Sequence, residues 1–89
     1  MSDSPFEDSN RIGAEFLITD LDIALTFLDV AQISANEETI RRNRAHARRA
    51  YDTVLHLLTK LEVDARQRQT IGERLSKLKA RLEAVGYRF

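Results

Sequence analysis

Apolar residues recur along most of this chain at the three- and four-residue steps of an α-helix. From Leu17, the positions Leu21, Ala24, Leu28 and Ala31 follow in steps of four and three, the a/d seam of a packed helix. Phe16, Ile23, Phe27 and Val30 form a second stripe, and Ile18 and Leu25 a third. At about 100° per residue the three together cover more than half of the circumference, wider than the apolar face of an ordinary surface helix. Only Glu15, Thr19, Asp22, Thr26 and Asp29 make a polar edge. Either two neighbours cover this segment from both sides, or part of it faces another chain. The pattern predicts a helix over residues 11–33, capped by Ser9 or Asn10.

Ser34-Ala35-Asn36-Glu37 interrupts the pattern with two capping options. Ser34 with Glu37 has the spacing of a capping box, and Asn36 as cap would set Glu37 and Glu38 in the first turn, where the helix dipole favours acids. A second helix follows over 37–61, with Ile40, Ala47, Val54 and Leu61 every seven residues and Ala50 and Leu57 beside them; Asn43 is the polar member of that companion row. Asp64 with Gln67 is a further capping arrangement. The third helix, 65–84, carries Ile71, Leu75, Leu78, Leu82 and Val85, and Gly86 stands where a left-handed C-terminal cap belongs. Three helices of similar length joined by short turns predict an all-α, antiparallel up-down-up three-helix bundle. Residues 1–10, polar and acidic with a proline at position 5, are expected to be a flexible tail ahead of a single domain over 11–89.

Composition narrows the class. The chain has 89 residues, enough for one small core, and no cysteine, which excludes disulfides and thiolate metal sites. No apolar run approaches a membrane span, and the acidic N-terminus is unlike a secretion signal, so a cytoplasmic protein that does not enter membranes is expected. The net charge is zero but segregated: residues 1–38 hold nine acids and one arginine, residues 39–89 thirteen basic residues and five acids. Arg41, Arg42, Arg44, Arg48 and Arg49 crowd the front of the second helix. They read as a candidate surface for an acidic peptide or protein, or as a solvated face. Nucleic acid ranks lower, because strongly basic domains and interleaved aromatics are expected of its binders.

Catalytic chemistry is not visible. There is no glycine-rich phosphate loop, no HExxH and no nucleophile elbow. His46 and His56 lie almost three turns apart, and Asp52 with His56 supplies only two ligands. No catalytic, cofactor-binding or metal-binding residue is therefore assigned, and no small-molecule substrate is expected. Asp20 alone breaks the pattern, falling inside the apolar arc near Phe16, Ala24 and Phe27. A buried carboxylate needs a donor, and Tyr51 and Ser76 lie at its height as candidates, as does an inward-reaching arginine. Hydration at the edge of the bundle is the alternative.

The run Ala47-x-x-Ala50-Tyr51-x-x-Val54-Leu55-x-Leu57-Leu58, followed by a turn and Ile71, Leu75, Leu78 and Leu82, resembles the helical hairpin of microtubule-interacting and transport domains, and equally that of tetratricopeptide-type helix pairs. The resemblance covers about half of the chain and implies a groove between helices that receives an amphipathic peptide helix. With the surplus apolar arc of the first helix, it points to a protein-interaction module that self-associates, as a homodimer for example, or takes a partner helix. Ile18 and Leu25 are the candidate contact residues on that helix, and a nucleic-acid-associated or regulatory role for the Arg41–Arg49 face is the alternative.

Overall fold

A computed structural model describes residues 5–89. Three α-helices follow in order, α1 (Pro5–Ile33), α2 (Glu37–Leu58) and α3 (Ala65–Ala84), with no strand among the described residues. The chain is all-α. No helix of the described residues is long and apolar enough to cross a membrane.

Local chemistry sets the helix ends. Of the two capping options for α2, Asn36 is the one used, its Oδ1 accepting from the Thr39 amide at 3.0 Å, while the Ser34 Oγ accepts from the Asn36 amide at 3.1 Å, a turn contact ahead of the helix rather than a capping box with Glu37. Asp64 caps α3 by accepting from the Gln67 amide at 2.7 Å. Each such cap stabilises its helix by about 1 kcal/mol. At the other end of α3, Gly86 adopts φ +100° and the Tyr87 amide donates to the Leu82 carbonyl at 3.0 Å, with Gly86 donating to Glu83. That is the two-bond glycine cap expected from Gly86, and Tyr87 packs against the core.

Two boundaries differ from expectation. The first helix starts at Pro5 rather than near Arg11. Proline is compatible with a first helical turn, where its missing N–H has no intrahelical partner. Asn10 is thus helical instead of capping, and its Oδ1 accepts from the Glu62 amide at 3.1 Å, tying α1 to the turn after α2. The expected tail over 1–10 is therefore helical from residue 5, and residues 1–4 lie outside the described residues. α2 ends at Leu58, three residues early: the Thr59 amide and hydroxyl both return to the His56 carbonyl and close the helix. Leu61 still packs on the core, from the turn, with its methyls beside Gly13.

The core lies inside a rod of 52 × 19 × 17 Å. Ala14, Leu17, Leu21, Ala24, Leu25 and Leu28 of α1 meet Ala47, Tyr51 and Val54 of α2 and Ile71, Leu75, Leu78 and Leu82 of α3. α1 packs on both other helices, which touch each other less. Polar links span the same interfaces. Arg74 Nε bonds Asp22 Oδ1 at 2.7 Å, Arg81 Nη2 pairs with Asp29 Oδ1 at 2.9 Å, and the Gln67 side chain reaches the Arg11 carbonyl at 3.4 Å.

Candidate functional site

The face of α1 opposite this core is uncovered. Ile12 is 58% exposed, Phe16 67% and Ile33 85%, and Ile23 and Val30 are also exposed. With Thr19 and Thr26 these residues step by four and three from 12 to 33, a second a/d seam on the solvent side of the helix. The two threonines do not break it chemically. Thr19 Oγ1 donates to the Glu15 carbonyl and Thr26 Oγ1 to the Asp22 carbonyl, each at 3.1 Å. Their hydroxyls are thereby satisfied on their own helix. The seam is about 32 Å long at 1.5 Å per residue.

Opposite charges border it. On the side of α3 lie Asp22 and Asp29, bridged to Arg74 and Arg81, and Glu15 seven residues before Asp22. On the side of α2, the His46 ring lies against Phe27 with centroids 5.4 Å apart. Arg42 and Arg49 stand one turn to either side of His46, on the same helical face. Both are exposed, and neither forms an ion pair among the described residues.

The five arginines singled out by sequence are held in different ways. Arg41 is held by Glu38 at 2.6 Å. That hydrogen bond and the guanidinium charge hold the Glu38 carboxyl below the usual glutamate range, with a smaller contribution from Arg42. Arg48 bonds Asp52 Oδ2 at 3.0 Å and the Arg88 carbonyl at 2.6 Å, with its guanidinium 4.0 Å from the Phe89 ring centre. Arg44 lines a cavity of about 390 Å³ at one end of the rod, with Leu28, Ala31, Ile40, Arg81 and Val85. No buried side-chain nitrogen or oxygen lacks a partner among the described residues. Only Arg42 and Arg49 remain beside the seam.

Other candidates sit differently from expectation. Leu25 is buried in the core on the side of α1 where Arg81 of α3 bonds its carbonyl, and Ile18 is half-buried against the same core. Neither forms an exposed contact patch. Asp20 is only half-buried, and no polar or charged side chain is buried among the described residues. The carboxylate sits at the margin between the packed arc and the open seam, where water reaches it. Tyr51 instead faces the chain end, its ring 4.9 Å from Phe89 in an edge-on arrangement, and Ser76 is exposed on α3. No group of three or more His, Asp or Glu residues that could hold a metal ion occurs among the described residues.

Sequence reasoning missed two features. The clasp of Phe89 on Tyr51, Arg48 and Lys79 has no periodic signal. The full outer seam is hidden in the sequence because Thr19 and Thr26 are polar residues within it; their heptad spacing from Ile12 and Ile33 is the available clue. Comparison with protein-family models, curated proteins and solved structures gives no match.

Proposed function

We propose that this protein is a helical docking module, an antiparallel up-down-up three-helix bundle that engages a protein partner through the outer seam of α1. The observation that carries the proposal is the uncovered line Ile12, Phe16, Ile23, Val30 and Ile33 on a helix whose other side is packed. Isolated apolar residues on a surface are ordinary, but a line of them at a/d spacing, interrupted only by two threonines whose hydroxyls are satisfied, offers a partner helix a ready seam. The up-down-up arrangement is supported by the cross-links: Asp22 with Arg74 and Asp29 with Arg81 rise together along α1 and α3, whereas Gly13 lies by Leu61 and Phe27 by His46. Because α1 is already folded and held on two sides, a partner need not supply the cost of ordering it.

The test combines light scattering with an apolar fluorescent dye, at low and high protein concentration. A free seam gives dye fluorescence in dilute protein or self-association in concentrated protein, and Phe16→Ser with Ile23→Ser removes both while helical circular dichroism is retained. A clean monomer at every concentration with no dye enhancement overturns the proposal.

A further inference from the structure

Resting on the docking role of α1, we infer that the occupant of its outer seam is a second copy of this chain, docked seam to seam with the two α1 helices parallel. The inference comes from the charges that border the seam. One border is acidic on α1 itself (Glu15, Asp22, Asp29), and the other is the Arg42 and Arg49 rim of α2.

Two copies can meet face to face about either of two two-fold axes. An axis perpendicular to the helices makes the α1 pair antiparallel and sets each border against its own equivalent, arginines against arginines and carboxylates against carboxylates. An axis along the helices makes the pair parallel and sets the α2 border of one copy against the acidic border of the other. Only the parallel arrangement joins opposite charges.

The heights agree as well. Residue 27 lies beside 46 and residue 13 beside 61, so residue numbers at one level of α1 and α2 sum to 73 or 74. Arg42 is therefore level with about residue 31 of α1, and Arg49 with about residue 24. In a parallel pair the second copy presents Asp29 and Asp22 at those levels. The offset of two residues is roughly 3 Å along the axis, within reach of an arginine side chain. Asp22 and Asp29 each use Oδ1 in the bridge to α3, and Oδ2 of each takes no hydrogen bond among the described residues. A second guanidinium can bind there without displacing the first. Repulsion between copies is small at long range, since 14 basic and 14 acidic side chains cancel. Among the described residues no other face carries a line of large apolar side chains of comparable length: outside α1 the large exposed apolar residues are Leu55, Leu57, Val85 and Phe89.

The native chain lacks cysteine, which makes the register easy to read. Thr26 occupies a d-type position, where Cα atoms of a parallel pair approach within the few ångströms that a disulfide requires. Full-length Thr26→Cys is expected to oxidise to a covalent dimer, as is Thr19→Cys. Sedimentation equilibrium should show concentration-dependent dimer for the wild type and monomer for Ile23→Glu with helicity unchanged. Arg42→Glu with Arg49→Glu should weaken the dimer at least about tenfold, because four attractive pairs become repulsive. A dimer in which Thr26 cysteines fail to join, while Thr19→Cys joins Thr26→Cys in a mixture, is antiparallel and overturns the inference. A dimer indifferent to Ile23→Glu also overturns it. A monomer at all concentrations overturns the second copy as occupant; if that monomer binds apolar dye at the seam, the docking role stands without it.

Discussion

Leu21 and Ile23 lie two residues apart on α1, yet the packing gives them different work. Leu21 is 0% exposed and Ile23 46%. Truncating a fully buried leucine to alanine costs about 2–5 kcal/mol, through lost transfer free energy and the cavity left behind. In a domain of this size, with a total stability near the low end of about 5–15 kcal/mol, Leu21→Ala removes a large share of it. At roughly 4–8 °C per kcal/mol, the melting temperature falls by about 8 °C or more. Ile23→Ala loses only about half of a burial worth roughly 1.5–3 kcal/mol, and alanine returns a few tenths of a kcal/mol of helix propensity. The net cost in the isolated chain is about 1 kcal/mol or less. Urea unfolding of both variants in dilute protein measures the contrast. At high concentration Ile23→Ala should additionally lose the stabilisation that association adds. Equal losses for the two variants in dilute protein would refute the orientation assigned to α1.

Further expectations concern the glycines, a cap, an ion pair and the chain end. A Cβ at Gly72 meets nothing within 4 Å inside α3, so Gly72→Ala should stabilise by about 0.5–1 kcal/mol, whereas Gly86→Ala, forced to keep φ +100°, should destabilise by about 1 kcal/mol or more; thermal melts decide both. Asp64→Ala should cost about 1 kcal/mol and fray the start of α3, seen as faster amide exchange at Gln67. Glu38 should titrate below the usual glutamate range by NMR and move up in Arg41→Ala; since its folded value is the lower one, its small contribution to stability is present above the unfolded value and lost as pH falls through the folded value. Phe89→Ala should change the near-ultraviolet dichroism of Tyr51, which loses its edge-on partner.

The inner seam of α1 was legible because Leu17, Leu21, Ala24 and Leu28 repeat at a/d spacing, and α2 and α3 offer matching rows. Asn36, Asp64 and Gly86 marked helix ends through their own local chemistry. What periodicity could not decide was which arcs of α1 the neighbours cover. On a helix apolar around more than half of its girth, Leu25 and Ile23 look alike in sequence; α3 covers one, and among the described residues the other stays exposed. The separate contacts of the arginines were illegible for a related reason. Partners of Arg48 lie 40 positions away at Arg88 and Phe89, beyond any local pattern.

Hydroxyl-radical footprinting of the wild-type chain, read residue by residue across a concentration series, addresses the outer seam most directly. In dilute protein Phe16, Ile23 and Ile33 should oxidise readily while Leu17, Leu21 and Leu28 stay protected. On concentration, protection should spread to Phe16, Ile23 and Val30 and leave Leu55 of α2 unchanged. Protection of Phe16 and Ile23 already at dilution, or none gained at any concentration, would contradict a seam that is open in one copy and closed by another.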